Sequence, residues 1–186
     1  MYQLSILMIV AISGVPGTGK TTACKMLECN GYNVVYINKL ISVHPEFVTG
    51  YDKKRKVKEV EVGKLKKYIK YHYSRTSLTF VDSHYSHLLG PDVIIILRCD
   101  PKELINRLKK KRFRKEKIME NIEAEALDVI TIESVQVKGK DNVYEIDITN
   151  LSTIKIVEAI KKIIETGTKN YSVGKLDWSE EVLEWY

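Results

Sequence analysis

Cysteine is scarce in this chain of 186 residues, and the three present, Cys24, Cys29 and Cys99, are an odd number with no paired metal-ligand spacing. The odd count argues against a disulfide framework, and a reducing cytoplasmic home is expected. No apolar run approaches the roughly 18 residues of a membrane-spanning helix, so no membrane is expected among the partners. The opening "MYQLSILMIVAIS" lacks the basic start of an export signal. Met8 offers an alternative start, because "MIVAISG" alone supplies a strand. Four prolines and ten glycines leave no low-complexity linker, and there are no repeats. A single domain spanning residues 1–186 is the natural reading at roughly 150 residues per domain.

What is present is a core-forming, mildly basic composition. Hydrophobic residues make up 44% and charged residues 29%, enough for one substantial core in a soluble chain. Lysine and arginine exceed aspartate and glutamate by 30 to 24, a balance that favours polyanions such as nucleotides or RNA. Short apolar runs alternate with longer amphipathic ones, the pattern of βα units around a parallel sheet. Strands are predicted at about Ile6–Ser13, Asn33–Ile37, Leu78–Asp82, Val93–Arg98 and Val143–Ile148. Helices are predicted from the glycine motif to Cys29, over Val60–Tyr73, and after Asp100-Pro101, an N-cap followed by a first-turn proline. One long helix is predicted through "KEKIMENIEAEALDVITIESVQ", where Ile118, Ile122, Ala126 and Ile130 form a stripe, and a last one over Thr153–Glu165 behind Ser152.

Two segments do not fit that core. "HPEFVTGYDKKRKVKE", residues 44–59, interrupts the first crossover, and "LKKKRFRKEK", residues 108–117, is a dense basic run between helices. Mobile covers over substrate sit at such places in phosphoryl-transfer enzymes; an ordinary solvated face is the plainer alternative.

"GVPGTGKTT" follows the first strand and satisfies G-x-x-x-x-G-K-[ST] with Gly14, Gly19, Lys20 and Thr21. Glycines there let successive backbone N–H groups converge on phosphate, and the next helix presents its N-terminus. Gly14, Gly17, Thr18, Gly19, Lys20, Thr21 and Thr22 are the predicted nucleotide contacts. Lys20 is expected on the β- and γ-phosphates of ATP, and the Thr21 hydroxyl on Mg²⁺.

Asp82 ends the strand "LTFVD", on the side of a parallel sheet where ligands bind, and is a candidate second Mg²⁺ ligand. His84, two residues on, is placed to orient water or an acceptor. Transfer of a phosphoryl group needs positive charge around it, and Arg107, Lys111, Arg112 and Arg114 offer that from a lid. His44 and His87 are read as structural or surface residues, and Glu120, Glu123 and Glu125 as ordinary helix surface without catalytic work.

Together "SGVPGTGKTT", "VDSHYSHLL", "LRCDPKELINRLKKKRF" and "KIMENIEAEALDV" resemble the small adenylate kinases of archaeal and eukaryotic nuclear type. These are the Fap-seven/CINAP relatives, also called adenylate kinase isoform six. The resemblance runs from about Ile9 to Glu165. It implies a three-layer P-loop fold with a five-stranded parallel sheet, an NMP-binding insertion at about 32–55 and a lid at about 110–120. It further implies transfer of the ATP γ-phosphate to AMP or a related monophosphate with Mg²⁺, and ATP hydrolysis. Roles for Asp82 and His84 follow by matching position. The implied biology is small-ribosomal-subunit maturation with a ribosomal protein of the S11 type.

The chain departs from that family pattern in places. Lys111-Arg112-Phe113 replaces Arg-Gly-aromatic, so either Lys111 or Arg112 makes the lid contact. "YDKKRKVKE" is basic where the family is acidic, a feature suited to rRNA or an acidic tail, and Leu151 replaces a common lysine. The ending "GKLDWSEEVLEWY", within an aromatic tail at 171–186, offers Leu176, Trp178, Val182 and Trp185 to the domain or a partner. Two alternatives stay open: a nucleotide-switched assembly factor with vestigial turnover, and a kinase for another small substrate such as shikimate or a nucleoside.

Overall fold

A computed structural model describes residues 7–53, 57–74 and 77–183. Ile6, Lys54, Arg55, Lys56 and Trp185, all named above, lie outside the described residues. The chain runs β1 (Ile9–Ser13), α1 (Lys20–Cys29), β2 (Asn33–Tyr36), α2 (Ile37–Val43), β3 (Val48–Asp52), β4 (Val57–Val60) and α3 (Val62–Tyr73). It continues with β5 (Thr79–Asp82), β6 (Val93–Arg98), α4 (Pro101–Lys110), α5 (Lys115–Ala126), α6 (Val129–Lys138), β7 (Val143–Asp147), α7 (Thr153–Thr166) and α8 (Ser179–Leu183).

Five strands pair in parallel in the order β2-β5-β1-β6-β7, as expected from the five apolar runs. Successive strand residues face opposite sides, and both sides are covered. Val10 and Ile12 of β1, with Ile95 and Leu97 of β6, pack against Ala23, Leu27, Ile156 and Ile160 of α1 and α7. Ala11, Ile94 and Ile96 face the other way towards α6, and Ile9 meets Leu65 and Ile69 of α3. All five strands therefore end on one edge, where the register sets Ile12 and Tyr36 beside Asp82.

The helix caps follow the sequence. Asp100 accepts from the amides of Lys102 (2.7 Å) and Glu103 (3.4 Å), with Pro101 in the first turn, and Ser152 accepts from Lys155 N. Four expectations are corrected. Ile37 starts α2 rather than ending β2, and Tyr32–Tyr36 leads into and forms β2 of the main sheet rather than an insertion. What lies outside the sheet is α2 and an antiparallel hairpin of β3 and β4, which period-two patterning did not reveal in a charged segment. The long helix from Lys115 is broken at Leu127-Asp128, with Asp128 left-handed at φ 55°. Glu125 is buried at 3% exposure, not surface.

The last two corrections have one cause, Arg98, which is 1% exposed. Its Nε donates to Glu125 Oε1 (2.8 Å), Nη1 to Thr131 Oγ1 (3.0 Å) and Glu145, and Nη2 to the Glu125 carbonyl (3.0 Å) and Asp128. All five guanidinium N–H groups find acceptors, the condition for burying such a charge. Because Arg98 takes the Glu125 carbonyl and the Asp128 carboxylate, the helix ends there and restarts. The Trp178 ring lies over the guanidinium at 4.8 Å, and Lys102 bonds Glu181 at 2.9 Å, so the C-terminal segment packs on the domain.

Candidate active site

The loop between β1 and α1 needs its glycines for two separate reasons. Gly14, Gly17 and Gly19 have φ of 132°, 100° and 83°, a region that side chains disfavour. A Cβ on Gly14 would stand 2.5 Å from the Leu97 carbonyl oxygen, and one on Gly17 2.8 Å from Leu104 Cδ1. Gly19 caps α1, its carbonyl accepting from Thr22 N and Ala23 N at 3.0 Å each. Thr18 is buried, and its hydroxyl donates to the Val15 carbonyl at 3.0 Å, which closes the turn from inside.

Lys20 lies almost wholly buried and donates to the same Val15 oxygen at 2.9 Å. Loss of water pushes its pKa down to about 8, with the nearby Asp82 charge opposing that and Lys111 adding to it. The Thr21 hydroxyl donates to Asp82 Oδ2 at 2.7 Å. Asp82 is 8% exposed, so a carboxylate and a hydroxyl oxygen face each other beside the loop. Hard oxygen donors of this kind suit Mg²⁺, which takes one or two protein ligands and fills its remaining positions with phosphate and water. Among the described residues no group of three or more His, Cys, Asp or Glu side chains forms a self-sufficient metal cage.

A cleft of about 340 Å³ opens over this loop, walled by Gly17, Gly19, Lys20, Thr21, Thr22, Tyr36, Lys39, Asp82, Lys111 and Phe113 among others. Of the predicted cationic cluster, only Lys111 reaches that wall. Arg107 bonds Glu103 Oε1 (3.0 Å) and the Thr149 carbonyl (2.9 Å), tying α4 to the loop after β7. Arg112 is exposed in a left-handed conformation at φ 59°, and Arg114 is the residue before α5. Of Lys111 and Arg112, Lys111 is the one that lines this cleft. The turn linking α4 to α5, residues 111–114, is shorter than the expected lid.

A second cleft, about 800 Å³, lies between the hairpin and α5–α6. Its walls carry the apolar Ile41, Val60, Val62, Ala124, Val129 and Ile130, the cations Lys58 and Lys117, and the carboxylates of Glu120 and Glu133. Pro16, Asn38 and His84 line both clefts, so the two meet beside the phosphate loop. His84 is exposed at the surface, stands edge-on to Tyr85 and lines both clefts. Loss of water first, then the Lys20 and Lys117 charges, lower its pKa, leaving it neutral at pH 7.

Several residues at this site escaped sequence reasoning. Tyr36, Asn38 and Lys39 reach the first cleft because β2 ends at Tyr36 and α2 begins at once. His87 is 2% exposed; its Nδ1 lies 3.0 Å from Ser13 Oγ and its Nε2 2.9 Å from Glu133 Oε2. His87 was read from sequence as structural or surface; its placement between Ser13 and Glu133 comes from tertiary contacts that no local spacing announces.

The "AAA domain" family model matches residues 10–128. Solved structures with the same fold include shikimate kinase from Acinetobacter baumannii in complex with shikimate (TM-score 0.60, 14% identity, 89% of this chain and 97% of that one). A gluconokinase from Sinorhizobium meliloti gives a TM-score of 0.54 at 14% identity, covering 89% and 96% of the two chains. The fold and its glycine loop are those of a P-loop nucleotide-binding protein. Relatives at higher identity each carry the name "Putative adenylate kinase". They include proteins from Methanocaldococcus jannaschii (38% identity, 96% of this chain and 97% of that one) and Archaeoglobus fulgidus (36%, 94% of each). Another, from Pyrococcus abyssi, is 39% identical over 93% and 92% of the two chains. The chain belongs to this archaeal family.

Proposed function

We propose that the protein transfers the γ-phosphoryl group of ATP to AMP or a related nucleoside monophosphate, with Mg²⁺. The observation that carries this reading is the junction of two clefts at Pro16, Asn38 and His84, one over the phosphate loop and one beside the hairpin. The smaller takes the triphosphate, held by the loop amides and Lys20. Thr21 and Asp82 would hold Mg²⁺, which when bound neutralises charge between the β- and γ-phosphates. Lys111 faces the γ-phosphate from the α4–α5 turn, the part that acts as lid. In the larger cleft, apolar walls take the acceptor's base, and Lys58 and Lys117 take its phosphate. Neutral His84, at the junction, orients the attacking phosphate oxygen through a hydrogen bond.

Hydrolysis of ATP in the absence of an acceptor, with water in the second cleft, belongs to the same proposal. A role in small-ribosomal-subunit maturation, through an S11-type protein or rRNA, rests on the family resemblance and on the basic segment Lys53–Lys58. Pull-down with an S11-type protein, and RNA binding measured across a salt series, test it. The kinase reading is tested by incubating the protein with ATP, Mg²⁺ and each monophosphate in turn. Diphosphate formation that depends on the monophosphate is expected; its absence with every acceptor would refute the reading.

A further inference from the structure

One wall of the larger cleft carries a chain of hydrogen bonds that nothing in phosphate binding requires. Ser13 is the last residue of β1, immediately before Gly14, and is fully buried. Its hydroxyl lies 3.0 Å from His87 Nδ1, and His87 Nε2 lies 2.9 Å from Glu133 Oε2. Burial lowers the His87 pKa, with Glu133 opposing, which favours the neutral ring. A neutral ring that donates to Glu133 through Nε2 presents Nδ1 as an acceptor to the Ser13 hydroxyl, which lies 3.2 Å from the His84 carbonyl oxygen as well and divides its single proton between the two acceptors. Glu133 is half exposed and lines the cleft, and its other oxygen has no partner among the described residues.

Glu133 stands one helical turn beyond Val129 and beside Ile130, and all three line the same wall. Apolar side chains suit a base plane, and a carboxylate oxygen at its edge accepts only from an N–H or O–H. We propose that Glu133 is a specificity-determining residue, oriented by His87 and Ser13, that accepts a hydrogen bond from the exocyclic amino group of the acceptor's base. This inference rests on the kinase reading above and names the base class that reading leaves open. The acceptor is then an amino-bearing base such as adenine, and a base with a carbonyl at that edge is rejected, because its oxygen would face a carboxylate.

AMP and IMP differ at that one edge and form the test pair. In the wild-type protein, AMP should be preferred over IMP in kcat/KM by about tenfold or more, the worth of one hydrogen bond to a charged acceptor. Glu133→Gln keeps size and can still accept from His87, while its amide N–H₂ turns towards the cleft. KM for AMP should rise about tenfold with kcat within about twofold, and the AMP-to-IMP ratio should fall towards one. Calorimetric binding of AMP and IMP to both proteins gives the same comparison without turnover. A purely structural role would change kcat for both acceptors alike and leave their ratio untouched; that result overturns the assignment. Wild-type protein that phosphorylates no monophosphate would instead refute the kinase reading and this inference with it.

Discussion

Lys20 is the residue on which most of the proposed chemistry converges. Enclosure lowers its pKa to about 8 while it bonds only the Val15 carbonyl, and a triphosphate would restore the ordinary charge-stabilised state. The sign follows: nucleotide-free Lys20 loses its proton as pH rises through about 8, whereas nucleotide-bound Lys20 keeps it. ATP binding therefore takes up protons around pH 8 and weakens as pH rises further. Calorimetry in buffers of different ionisation enthalpy should show that uptake, and Lys20→Met should abolish it. Lys20→Ala should lower kcat about a hundredfold or more, the usual cost of removing one charge-stabilising group. Assay at saturating ATP and Mg²⁺ separates that loss from weakened binding. The position of this loop was legible in sequence because its motif has a fixed spacing and a fixed neighbour on either side. Glu125 was not, since "ENIEAE" has the composition of a solvated face and only the buried Arg98 reveals its use.

Among the secondary-structure elements, the connections were harder to read than the elements themselves. Apolar runs announced all five sheet strands, whereas the β3–β4 hairpin and the break between α5 and α6 answer to tertiary partners. Two left-handed residues make the point testable. Arg112 adopts φ 59° at the end of α4 and is exposed, in the position where the resembling family carries glycine. Arg112→Gly should stabilise the protein by about 1 kcal/mol, raising Tm by roughly 2–4 °C. Asp128 adopts φ 55°, but its carboxylate bonds the Arg98 Nη2. Asp128→Gly relieves the same backbone strain yet leaves a buried donor unmet, so it should destabilise by about 1–3 kcal/mol. Thermal melts of the two variants in parallel check both signs; equal shifts would contradict the account of the helix break.

For the molecule as a whole, Arg98 joins β6, α5, α6 and β7 through hydrogen bonds, and the C-terminal segment through Trp178. Arg98→Met would leave Glu125 and Glu145 buried without their counter-charge, at a cost of about 3–5 kcal/mol in urea unfolding. The larger architecture places the phosphate loop, Asp82 and His84 at one edge of the sheet. It also makes two clefts share a border there, a juxtaposition that no single motif encodes. The central claim is that donor and acceptor occupy those clefts together, in line across His84. Its most direct measurement is the binding of a bisubstrate compound, two adenosines joined by five phosphates, compared with ATP and AMP separately. The account predicts Mg²⁺-dependent binding at least a hundredfold tighter than either nucleotide alone, with both displaced. Binding no tighter than that of ATP, with AMP still able to bind alongside, would contradict it.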